Sequence, residues 1–254
     1  MRKLKLALLI VTLLFVVVGC ADNITTEEIL KDTIAKSKDL KSVQVNAINE
    51  QTVKMNSEQE TTTSTILALS INYEQPAVYQ ELEYNNNKKE TMYITKNDLY
   101  ALRNNAQWIK VENYDVENFM KTIKELSNNV LEIFVEYTDD VELLKEDNQY
   151  ILKLDGSGDK FMDIFKEQLT KTMPVGSNFD KLSEILKINT STYEYVIDKK
   201  TGLILKTIID MDYELTILNN TMNFIQKTTS EFSNHNKVPK IIVPQEIIDS
   251  AITQ

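Results

Sequence analysis

The sequence predicts an α+β fold in which antiparallel strands come in two runs with helices between them. Three observations predict it. An amphipathic segment with a capping signature opens the folded part. A run of short alternating segments with polar turns follows. The hydrophobic period then switches from strand to helix and back again.

Thr25-Thr26-Glu27-Glu28 has the form of a capping box, with Thr25 as N-cap and Glu28 at N3. The helix it starts runs over Glu27 to Leu40, where Ile29, Leu30 and Ile34 fall at helical spacing. Ser42 to Ile48 opens on period-two alternation, the mark of a half-buried strand. Thr61 to Asn72 is β-branched and apolar, and Ala77 to Tyr84 alternates around Val78, Leu82 and Tyr84. Lys89 to Lys96 and Leu99 to Leu102 flank the turn pair Asn97-Asp98, and Trp108 to Val111 adds a further strand. Such close spacing predicts an antiparallel meander.

Val116, Phe119, Met120, Ile123, Val130 and Phe134 then share one helical stripe, which predicts one or two helices over 115–136. Asp139 to Asp147 reads as a solvated acidic loop or short helix, and Gln149 to Leu154 as a strand. Asp155-Gly156-Ser157-Gly158 turns the chain into a helix carrying Phe161, Phe165, Leu169 and Met173 at i, i+4 spacing. Met173 to Leu186 is an irregular crossing with Pro174 and Gly176. Three or four strands follow: Asn189 to Asp198, Leu203 to Tyr213, and Glu214 to Phe232 with a break near Asn219-Asn220. Gly202 suits a positive φ in the first of their turns. Pro244 fits the first position of a short terminal helix.

The N-terminus follows other rules. Arg2, Lys3 and Lys5 precede an uncharged run from Leu6 to Val18, interrupted only by Thr12. A membrane-spanning helix needs about 20 apolar residues, and this run falls well short. Its length is that of the apolar region of a secretory signal. It ends in Val17-Val18-Gly19-Cys20, which resembles the lipobox of bacterial lipoproteins. That resemblance implies a signal peptide over 1–19, cut before Cys20, and a diacylglyceryl group on the Cys20 thiol. It implies a lipidated tether over 20–25 and a place on the extracytoplasmic face of the cytoplasmic membrane, while the lack of a Pro/Gly/Ser-rich linker makes 26–254 read as a single domain. Each buried methylene contributes about 0.8 kcal/mol, so two acyl chains give a stable anchor. Cys20 is the one cysteine, which excludes an intramolecular disulfide.

Loss of that leader removes three positive charges and no negative one from 28 Lys+Arg and 38 Asp+Glu, leaving about −13. So acidic a chain is not built for nucleic acid or for a polybasic hold on anionic lipid. Arg103 is the one arginine outside the leader, which excludes an arginine cluster for phosphate. Frequent Lys, Asn and Ile beside scarce Arg point to an AT-rich genome and a Gram-positive source.

No residue pattern announces catalysis, a cofactor or a metal. His235 is the single histidine and sits in the polar stretch Ser233-Asn234-His235-Asn236-Lys237, which reads as an exposed loop. No Gly-x-Ser-x-Gly elbow supports a serine triad. Asp155 to Asp159 has alternating oxygen ligands, yet Lys160 and Lys166 stand where a calcium loop needs Gly and Glu. Phe161 likewise occupies the third glycine position of a dinucleotide fingerprint. The acidic residues over 139–147 fix no metal geometry and read as a solvated face.

Three stretches carry a further resemblance. They are Tyr93-Ile94-Thr95 with Leu99-Tyr100 and Trp108-Ile109-Lys110, then Leu152 to Gly156, then Tyr195 to Lys206. The last looks like the aromatic, Ile-Asp, glycine-turn, apolar-Lys hairpin of the LolA-like and LppX-like half-barrel superfamily. The whole is similar to an uncharacterised family of Gram-positive lipoproteins in that group. The resemblance implies a curved antiparallel β-sheet, a half-barrel, with helices packed against its concave side. In characterised members that space accepts acyl chains. On this reading Phe119, Ile123, Phe161, Phe165 and Leu169 line a cavity for a lipid or acyl chain, and the protein is no enzyme. The alternative is an envelope scaffold whose core is closed and whose helical stripes are plain core.

Overall fold

The structure, a computed structural model, describes residues 24–55, 59–85, 88–103, 106–157, 162, 184–217 and 220–253. Helix α1 (Thr26–Lys38) starts at its capping box. Glu28 N–H donates to Thr25 Oγ1 at 3.2 Å, and Thr25 N–H donates to Glu28 Oε2 at 2.8 Å. Six strands follow: β1 (Ser42–Met55), β2 (Gln59–Asn72), β3 (Ala77–Tyr84), β4 (Lys89–Ile94), β5 (Asp98–Arg103) and β6 (Ile109–Glu112). Helix α2 (Val116–Glu136) separates them from β7 (Glu142–Lys145), β8 (Gln149–Gly156), β9 (Leu186–Asp198), β10 (Ile204–Ile217) and β11 (Asn220–Ser233). A short helix α3 (Gln245–Ser250) and β12 (Ile252–Thr253) end the chain.

All twelve strands form one sheet, in the order β12-β6-β5-β4-β3-β2-β1-β11-β10-β9-β8-β7. Every neighbouring pair is antiparallel except β12 and β6. Two meanders therefore meet where β1 pairs β11, in register from Gln44↔Ser233 to Met55↔Met222. The sheet tapers, with four strands of 14 residues at its centre and strands of two and four residues at its edges. It is the open, curved half-barrel that the resemblance implied.

Alternation along each strand sends one set of side chains to the concave face. In the first meander Val43 and Val45 stand beside Ile71 and Leu69, and Val78 beside Ile94. Val116 and Met120 of α2 cover this group. In the second meander Leu152, Leu154, Tyr193, Tyr195 and Ile197 meet Ile29, Leu30 and Ile34 of α1 and Val130, Leu131 and Phe134 of α2. Phe134 is fully buried, its ring edge-on to Tyr193 at 5.9 Å and to Tyr195 at 5.1 Å. On the opposite face Val243 and Ile247 pack on Tyr100 and Trp108, which holds α3 against the sheet.

Four sequence expectations are corrected. The acidic stretch after α2 is a turn of 3-10 helix (Thr138–Asp140) followed by a strand. Val141 and Leu143 turn inward between charged neighbours, so a strand of four residues hides inside an acidic composition. β10 does not stop at Tyr213, because Met211, Tyr213 and Leu215 keep their alternation up to Ile217. β1 runs on past Ile48 to Met55, although the alternation of apolar residues fades there. Pro244 caps α3 from outside rather than opening it. The helix expected over Phe161 to Met173 and the crossing after it fall almost wholly outside the described residues.

Candidate functional site

The concave face is not filled everywhere. A cavity of about 210 Å³ lies between the sheet centre, the end of α1 and the middle of α2. Strand register builds its floor: Val45 pairs with both Leu69 and Phe232, and Val43 pairs with Ile71. Leu40, Ile123, Leu203 and Ile204 supply the remaining apolar wall. Among the described residues the polar groups on the lining are Ser37, Tyr73, Lys124 and His235, and none is a carboxylate.

His235 owes its position to two unusual neighbours. Asn234 and Asn236 adopt φ of 50° and 59°, the left-handed region that Asn tolerates better than most residues. The resulting turn is tied to the start of β1. Asn236 N–H donates to the Ser42 carbonyl at 2.8 Å, and Lys41 N–H donates to Asn236 Oδ1 at 2.8 Å. This folds the imidazole inward, so His235 is half-buried where the sequence suggested an exposed loop. Burial pushes its pKa below 6.5, against a hydrogen bond to the Ile204 backbone and the charge of Asp198. The ring is neutral at pH 7.

Lys124 follows Ile123 on α2 and is half-buried at the cavity rim. Its ammonium lies 5.1 Å from the centre of the Tyr73 ring, within cation–π range. Burial pushes the Tyr73 phenol up to about 12, so it too is neutral at pH 7. The site thus offers an apolar hollow, one cation and several neutral hydrogen-bonding groups.

Of the residues expected from sequence, Ile123 lines the cavity. Phe119 packs in the same apolar cluster, 6.1 Å from the Tyr114 ring, and lies off the lining. Phe161, Phe165, Leu169 and Cys20 lie outside the described residues. Lys124, Tyr73, Leu203 and Phe232 were not expected there. They come from four separate parts of the chain, one helix, one strand and two turns, and sequence spacing carries no signal for that convergence.

A wider apolar depression of about 570 Å³ runs beneath the C-terminal segment on the convex side, between Pro76, Tyr100 and Lys240 to Val243. It is more open to solvent than the helix-covered cavity. Among the described residues no cluster of three or more His, Cys, Asp or Glu is placed to hold a metal ion. No described helix is long and apolar enough to cross a membrane.

A family model, described as a family of unknown function (DUF6612), matches residues 25–252. The chain belongs to that family. No curated protein matches it. Solved structures similar to this family member include the lipoprotein LppX of Mycobacterium tuberculosis, at 12% identity and a TM-score of 0.40, over 85% of this chain and 98% of that one. A LolA superfamily protein from Nitrosomonas europaea is 12% identical at a TM-score of 0.26, over 88% and 97% of the two chains. A putative outer membrane lipoprotein-sorting protein domain from Vibrio parahaemolyticus is 10% identical at a TM-score of 0.25, over 89% and 98%. No residue role transfers at this level of similarity.

Proposed function

We propose that the chain is a lipid-anchored extracytoplasmic protein, without enzymatic activity, that binds a hydrophobic ligand between its sheet and helices. The observation that carries this reading is the hollow of about 210 Å³ left among Val45, Leu69, Ile123 and Phe232, where a closed core would be filled. Protein interiors are normally packed to crystal-like density, and a dry apolar void forfeits contacts on every wall. Space of this kind beneath two helices fits reversible occupation better than structural need. The lipobox at Val17 to Cys20 supports the membrane location. The capping box at Thr25 then sets α1 only a few residues from the acyl chains, within reach of the headgroups.

Native mass spectrometry of protein purified from membranes tests the binding. A co-purifying lipid or uptake of a fluorescent fatty acid is expected. Repeated absence of both would replace this reading with the closed scaffold. For the anchor, Cys20→Ser should leave the protein unprocessed or released, and a cleaved Ser variant retained on membranes would rule lipidation out.

A further inference from the structure

The rim of the cavity suggests what kind of head group its ligand carries. Resting on the ligand-binding role proposed above, we infer that the site takes a single-chain anionic amphiphile, with its carboxylate or phosphate at Lys124 and its chain among Val45, Leu69 and Phe232. Three features lead there. The first is size: ligand pockets usually span roughly 300–1,000 Å³, and this hollow is about 210 Å³. One slender chain suits it, whereas a lipid with several chains would need the sheet and helices to part.

The second feature is charge. Among the described residues the lining holds Lys124 and no carboxylate, although the chain as a whole carries 38 acidic residues against 28 basic ones. Many of its lysines sit in ion pairs, such as Lys38 with Glu132 and Lys41 with Glu74 near the same helices. The contact that holds the Lys124 ammonium is instead the face of Tyr73, at 5.1 Å. An aromatic face steadies a cation without neutralising it. The charge is therefore held at the mouth of an apolar hollow and left available to an anion.

The third feature is the set of neutral groups beside it. Ser37 and Tyr73 also lie on the lining and carry hydroxyls that can donate hydrogen bonds to an oxyanion without adding charge. A neutral alcohol of the same chain length would offer the ammonium only an uncharged acceptor. That is the basis for discrimination, since hydrogen bonds to ionised groups are about twice as strong as neutral ones.

The test uses protein purified as the cell makes it, titrated with decanoate, decyl phosphate and decanol. Decanoate and decyl phosphate are expected to bind about tenfold more tightly than decanol or better, as loss of one charge-assisted contact implies. Whichever of the two anions binds more tightly tells a fatty acid from a lysophospholipid as the source of the head group. Lys124→Gln should erase the preference for the anions over decanol, and Lys124→Arg should keep it. Equal binding of decanoate and decanol would overturn the inference, as would a Lys124→Gln protein that still prefers the anions. Failure of all three probes to bind would overturn the cavity reading on which it rests.

Discussion

The two meanders meet the same helices on different terms. Against β7 to β10 the helices bury Ile29, Leu30, Leu131 and Phe134, each nearly or fully sealed, on a wall of Tyr193, Tyr195 and Leu152. Against β1 to β5 the buried set is smaller, and Phe119, Ile123, Leu69 and Phe232 stay partly accessible. The cavity opens where the second arrangement meets the first. One half of the sheet is thus a filled core that anchors the helices. The other half keeps space that a filled core would remove, and that space is where the proposed ligand would sit.

The strongest way to break the comparison is to empty the filled half. Phe134→Ala should cost about 3–5 kcal/mol, the range for deleting a buried aromatic side chain, and is read by chemical or thermal denaturation. A loss under 1 kcal/mol would show that this half is not the anchor. Filling the open half should do the reverse. Ile123→Trp, placed on the cavity wall, should abolish uptake of a fluorescent fatty acid while changing stability by at most about 1–3 kcal/mol.

A finer test acts on the turn between β9 and β10. Gly202 has φ of +69°, and a Cβ there would collide with Asp32 Oδ2 of α1. Gly202→Ala should cost about 2 kcal/mol from the left-handed backbone alone and loosen α1 from the filled half. Unchanged melting would show that this turn does not hold residue 202 at positive φ.

The smallest effect is electrostatic. Burial lowers the folded pKa of His235 below 6.5, so the unfolded chain takes up the proton first. The resulting stability is complete above about pH 6.5 and is lost as pH falls through the folded value. His235→Asn should flatten that part of a melting-temperature profile between about pH 7 and pH 5. An identical profile would place the imidazole in solvent and move the rim of the cavity.

Much of the fold was legible because hairpins write their register locally. Ala77 to Tyr84 is a strand at the predicted residues, and the capping box at Thr25 starts α1 as read. Two of the misses, in β1 and β7, share one cause, a strand whose inward positions are not apolar or whose outward ones are charged. Asn49 and Gln51 continue β1 by facing polar partners, with Thr228 Oγ1 donating to Asn49 Oδ1 and Gln51 Nε2 to Gln226 Oε1. Charged residues around Val141 and Leu143 hid β7 in the same way. For the site, the helical stripe on α2 pointed to Ile123. His235 read as an exposed loop residue because the long-range bonds from Asn236 to Lys41 and Ser42 that turn it inward are encoded in no local pattern.

The taper of the sheet has its own consequence. An open sheet presents two flanks of unpaired backbone, and a long flat flank recruits strands from other molecules. Here the 14-residue strands are sealed in the middle, while the outermost strands, β12 and β7, offer two and four residues. Glu142 and Lys145 also bracket β7 with charge. An incoming strand finds too short a ladder to repay its own ordering. However densely copies crowd together, the half-barrel is poorly shaped to grow into a fibre through its edges.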